Sequence, residues 1–149
     1  MGSTGCFETD AGEFVVPIFT TMDKIYNILL DNTQIGSTGF ENSDPPRGVV
    51  FGRIFFIEDT FNYSFFKNYC IQNNIPFEDD IDVKLIATGN IANLQIFDSE
   101  GLEIKGIAAT ISGMDSDEYL ISIEGISYPF YEQEFSHHFK SYQQKFGKH

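Results

Sequence analysis

Residues 102–126 constrain the fold more than any other stretch, because two β-rich runs there flank a short polar segment. Both 102–111 and 118–126 are rich in β-branched side chains and read as strands, in which alternate residues line one face. Between them Ser112, Gly113, Asp115, Ser116 and Asp117 supply turn chemistry, so the pair reads as a β-hairpin with its turn at 112–117. A chain holding such a hairpin must bury at least one sheet face against another layer.

The preceding residues extend the pattern. Ile81, Val83, Leu85 and Ala87 alternate with Asp82, Lys84, Ile86 and Thr88; Gly89 and Asn90 form a turn; and 91–97 runs extended to a reversal at Asp98, Ser99, Glu100 and Gly101. Four successive strands with short turns predict an antiparallel meander, since short connections join antiparallel neighbours at little cost in loop entropy. Further upstream, 13–19 reads as a strand that Pro17 confines to an edge position or a bulge. Residues 20–32 read as a helix capped by Thr20 or Thr21, with Met22, Ile25, Ile28 and Leu29 at helical spacing. The breakers Gly36, Gly39, Pro45, Pro46 and Gly48 make 33–48 a long loop. The nearly unbroken apolar run 49–57 predicts a central strand buried on both faces. Glu58, Asp59 and Thr60 then offer an N-cap to a helix that ends near Asn73 and carries Phe61, Phe65, Phe66, Tyr69 and Cys70 on one face.

After Pro129, the residues Tyr131, Phe135, Phe139, Tyr142 and Phe146 recur at helical spacing, predicting one helix whose aromatic stripe docks on the sheet. Glu132 and Glu134 near its start and Lys140, Lys145 and Lys148 near its end complement the helix dipole. With 16 Phe in the chain, such faces need a large sheet to cover them. The whole reads as a flexible stretch over 1–12 and a single α+β domain over 13–149. Its sheet is mainly antiparallel, with a C-terminal four-strand meander and three helices packed on it, the aromatic-striped one last. Cys6 and Cys70 read as free thiols in a reducing compartment, not as a disulfide framework.

Charge narrows the function. Twenty-two acidic against 9 basic side chains give a formal net charge of −13, and Arg47, Arg53, Lys67 and Lys84 are scattered, so direct nucleic-acid binding is not expected. The first six residues lack the basic start of a secretory leader, and Cys6 stands where an N-myristoylation motif takes Ser or Thr. No run approaches the about 20 apolar residues that a membrane span needs, so a soluble cytoplasmic protein without membrane attachment is expected.

Catalytic and cofactor signatures are sparse. His137 and His138 are adjacent on a helix and point about 100° apart, a poor arrangement for sharing a metal ion. Cys70 falls on an apolar helix face as a core residue would, and Asp115, Asp117 and Glu118 lack the ligand run of a calcium loop. The expected cofactor complement is none. In a meander, alternate connections share an end of the sheet. This places Glu78, Asp79, Asp80 and Asp82 with Asp98 and Glu100, and puts Asp115, Asp117 and Glu118 at the opposite end. That acidic pole is the expected partner-binding site of a non-enzymatic protein that occludes a basic protein partner, as an immunity protein neutralises a toxin nuclease. The alternative is a small-molecule enzyme or ligand-binding domain with an aromatic-lined pocket between sheet and helices, the 33–48 segment covering its mouth.

Overall fold

The computed structural model describes residues 24–146, the side chains of Phe139, Gln144, Lys145 and Phe146 excepted. The strand expected at 13–19, the helix start at Thr20 or Thr21, and Cys6 lie outside the described residues.

Asp31 and Asn32 set the first turn of the described chain. Both have left-handed backbones, with φ of 52° and 67°, which is the pattern of a two-residue I′ hairpin turn. It joins β1 (Tyr26–Leu30) to β2 (Thr33–Thr38) as an antiparallel pair. The helix expected over 20–32 is therefore corrected to a strand across its described part. Ile25, Ile28 and Leu29 fit helical spacing, but burial follows period two through Tyr26, Ile28 and Leu30. The loop expected over 33–48 is likewise β2, β3 (Asn42–Asp44) and a 3-10 turn over Pro45–Arg47. Gly36 sits inside β2 because a Cβ there would stand 2.6 Å from the Phe55 carbonyl oxygen.

The apolar run 49–57 is not one doubly buried strand. It divides into β4 (Val49–Arg53), which pairs with β3 and β10, and β5 (Phe55–Phe56), which pairs with β2 in a different sheet. Buried Ile54 marks the crossing, its amide donating to the Tyr119 carbonyl at 2.8 Å, and Arg53 and Phe55 on either side are exposed. Next comes α1 (Tyr63–Gln72). Asn62 caps it by accepting from the Phe65 amide at 3.1 Å, not the expected 58–60 segment, and Tyr63, Phe66 and Cys70 form its buried face.

Five further strands follow: β6 (Phe77–Asp80), β7 (Leu85–Thr88), β8 (Leu94–Phe97), β9 (Ala108–Met114) and β10 (Tyr119–Glu124). One antiparallel sheet has the order β3-β4-β10-β9-β7-β6 and the other β5-β2-β1-β8. The β9–β10 hairpin stands as expected, in a register that sets Ile111 opposite Ile121. Its turn moves to 115–118, because Ser112, Gly113 and Met114 are strand residues; at Gly113 a Cβ would meet the Tyr119 Cα at 2.6 Å.

The four-strand meander is overturned. β7 pairs with β9, whereas β8 leaves for the other sheet and pairs with β1. Residues 81–84, expected as strand, form the β6–β7 turn. Residues 102–107, also expected as strand, run beside β8 through one bridge between Phe97 and Glu103 and then cross to the larger sheet. Period-two patterning identifies strands without naming their partners, so the same pattern suits a meander and the pairing found here.

The C-terminal helix breaks at Phe135, where φ is −113° and ψ is 44°, into α2 (Phe130–Glu134) and α3 (Ser136–Phe146). Tyr131 and Phe135 are fully buried, so the first part of the aromatic stripe is core as expected, while Tyr142 is partly exposed. The side chains of Phe139 and Phe146 lie outside the described set. The two sheets share one core: Tyr26, Ile28 and Leu30 of the smaller pack in the same cluster as Val50, Ile86, Ile111 and Ile121 of the larger. Among the described residues, two antiparallel sheets with three helices make this an α+β fold.

Candidate partner-binding face

The six carboxylates expected at one pole divide between the two sheets. Glu78, Asp79 and Asp80 lie on β6, at the edge of the larger sheet, with Asp82 in the turn after it; Asp98 and Glu100 lie in the turn after β8 of the smaller sheet. The Asp115 amide donates to the Lys84 carbonyl at 3.2 Å, so the 81–84 turn adjoins the β9–β10 turn, the neighbour that the meander had assigned to the opposite end.

Three of the six are already engaged within the fold, Asp80 by accepting from the Asp82 amide at 3.0 Å in the turn that follows it. Asp98 is 6% exposed and accepts from the amides of Leu102 at 2.8 Å and Glu100 at 2.9 Å, with the Lys24 ammonium 3.5 Å away. The Leu102 amide above all, with help from Glu100 and Lys24, holds this carboxyl below its usual range despite the opposing effect of burial. Asp79 accepts from the Tyr63 hydroxyl and pairs with Lys67 at 3.1 Å, and those two partners, Tyr63 first, lower its pKa. Glu78, Asp80, Asp82 and Glu100 are exposed.

The feature that the sequence reading missed is Phe55. It stands 54% exposed on β5, the edge strand of the smaller sheet, next to Ile57 at 56%. Its ring lines two clefts and forms the ridge between them. On one side a cleft of about 540 Å³ is walled by Ile57, Glu58, Asp59, Asp117 and Glu118. Arg53 lies against the ridge with its guanidinium 5.2 Å from the Phe55 ring and 3.5 Å from the Glu118 carboxylate. Local structure puts Phe55 there. Gly36 admits the β5 backbone, the Ile57 amide bonds the Ile35 carbonyl at 2.9 Å, and the crossing at Ile54 turns the next side chain outward.

On the other side a cleft of about 400 Å³ is lined by Lys24, Ile25, Glu41, His137 and His138. Glu41 is fixed by accepting from the Arg53 amide at 3.1 Å, an approach that Gly52 permits, since a Cβ there would stand 2.5 Å from the Glu41 carboxylate. Between Gly39 and Glu41, Phe40 is fully buried yet has a φ of 47°, a strained value for a bulky side chain. Its ring packs on Tyr26 and Phe135, and its carbonyl accepts from His138 Nε2 at 2.7 Å. His137 lies with its ring centroid 4.1 Å from that of His138; burial and then the neighbouring imidazole depress its pKa.

In the sequence, Phe55 and Ile57 were hidden inside a run that looked doubly buried, and Glu58 and Asp59 looked like a helix cap. Only the change of sheet at Ile54 brings them out beside Asp117 and Glu118. Among the described residues no helix is long and apolar enough to cross a membrane. The chain shows no significant match to any known family, curated protein or solved structure.

Proposed function

We propose that this chain is a non-enzymatic cytoplasmic binding protein that occludes a basic surface of a protein partner. The observation that supports this most is the exposed Phe55 ridge set between carboxylates: Glu41 on one flank, and Glu58, Asp59, Asp117 and Glu118 on the other. An exposed aromatic side chain within a charged rim has the composition of a binding hot spot: the ring offers apolar area to a partner's anchor and the rim selects its charge. Around it, a net charge of −13 accelerates encounter with a cationic surface, and the exposed Glu78, Asp80, Asp82 and Glu100 extend that field. Asp98 is buried, and Asp79, though exposed, is already paired with Tyr63 and Lys67. An immunity protein that neutralises a toxin nuclease is one protein of this kind.

The test is affinity capture from the native source on immobilised wild-type protein, Phe55→Asp, and the double variant Asp117→Lys/Glu118→Lys. A basic protein retained by the wild type at low salt, eluted at high salt and lost from both variants supports the reading. Equal retention by all three, or a partner indifferent to salt, removes it.

A further inference from the structure

At the far edge of the larger sheet, β6 pairs with β7 and, among the described residues, with no strand on its other side. Two hydrogen bonds fix which backbone groups face outward. The Gly89 amide donates to the Pro76 carbonyl at 2.7 Å, so in the register of Phe77 opposite Thr88 the even-numbered residues of β6 occupy the hydrogen-bonded pairs. The Asp115–Lys84 bond gives the same phase from the other side of β7, leaving Leu85 and Ala87 to bond β6. Hence the amides and carbonyls of Phe77 and Asp79 point away from the sheet.

The side chains flanking this open edge are acidic. Asp79 turns toward α1 to meet Tyr63, so its neighbours Glu78 and Asp80 project on the opposite face, and Asp82 follows in the turn. None of the described ion pairs involves Glu78, Asp80 or Asp82. Ile81 and Val83, 64% and 48% exposed, add apolar surface at the end of the strand. Natural edges are often guarded by charge, and acids here oppose pairing with a second copy of the same edge. The same charges complement a strand of opposite sign.

We propose that β6 accepts an extended basic segment of a partner protein as an added strand. Its backbone bonds the outward groups of Phe77 and Asp79, and its Lys or Arg side chains at alternate positions face Glu78 and Asp80. This surface lies outside the Phe55 ridge and does not depend on it.

The experiment uses the full chain with isotopically labelled amides and a short, end-blocked peptide of alternating Lys and Val; an alternating Glu and Val peptide is the control. In the free protein the Phe77 and Asp79 amides should exchange fast. The Lys–Val peptide should protect both, with affinity that falls as salt rises. Glu78→Lys/Asp80→Lys should weaken binding roughly tenfold or more, and the neutral pair Glu78→Gln/Asp80→Asn should weaken it less. Phe55→Asp should leave the protection unchanged, which separates a failure here from a failure of the ridge. Protection of the two amides before peptide is added, protection that rises with protein concentration alone, equal binding of the Glu–Val peptide, or protection only at another edge would each overturn the proposal.

Discussion

Two lysine–tyrosine–carboxylate clusters, alike in residue type, do different work in this fold. In the first, Glu134 of α2 accepts from the Lys24 ammonium at 2.6 Å and from the Tyr26 hydroxyl at 2.7 Å, with Asp98 beside the same lysine. In the second, Lys67 and Tyr63, one turn apart on α1, meet Asp79 on β6. The first joins residues 108 to 110 positions apart and seals carboxylate side chains that are only 9% and 5% exposed. The second spans at most 16 positions and leaves its carboxylate 23% exposed. The comparison teaches that identical chemistry is a tertiary staple where it is buried and closes a long loop, and a local brace where water competes for it.

The largest effect should come from Glu134→Ala. It leaves the Tyr26 hydroxyl without its acceptor and Lys24 without its nearer partner, and it should cost about 2–3 kcal/mol in urea unfolding. Tyr26→Phe keeps the ring in the core and should cost about 1 kcal/mol. Asp79→Ala should lower the urea midpoint by less than Glu134→Ala, and added salt should shrink its effect. If Asp79→Ala proves the costlier substitution, the distinction between staple and brace is broken.

Acid and alkali sharpen the same contrast. The carboxyls of Asp79 and Asp98 are held below the ordinary 3.8, so the stability they add is complete above that pH and is lost as pH falls below it. Burial, and then the bond to Glu134, push the Tyr26 hydroxyl well above the ordinary 10. Burial also raises Tyr131, to about 12. The fold favours their neutral forms, so this contribution is complete below pH 10 and is lost as pH rises beyond it. A pH series of unfolding midpoints should therefore fall at both ends, with Tyr26→Phe flattening the alkaline limb and Asp79→Asn the acid one. The smallest effect is expected from Glu78→Lys/Asp80→Lys, which should change stability by no more than about 1 kcal/mol, because both side chains are exposed and only the bond from the Asp82 amide to Asp80 is lost.

Much of the secondary structure was legible. The β9–β10 hairpin, α1 and the buried start of the aromatic stripe at Tyr131 and Phe135 follow from periodicity, because a hydrophobic face repeats at the spacing of its own element. Short segments were less legible. Ile25, Ile28 and Leu29 suit two periods over so few residues, and the left-handed pair Asp31 and Asn32 resembled a helix end. The candidate site was nearly illegible. Phe55 and Ile57 carry the composition of core residues, and their exposure depends on the strand changing sheets one residue earlier.

By itself the sequence determined the acidity, the aromatic core and the α+β class, all of which rest on composition and local repetition. The tertiary structure alone decided that β8 joins β1, that Asp98 is buried as an acceptor while Asp79 is held by Tyr63 and Lys67, and that Phe55 faces out among carboxylates. Those outcomes depend on which strand pairs with which, and backbone hydrogen bonding leaves that choice to packing because every strand offers the same donors and acceptors.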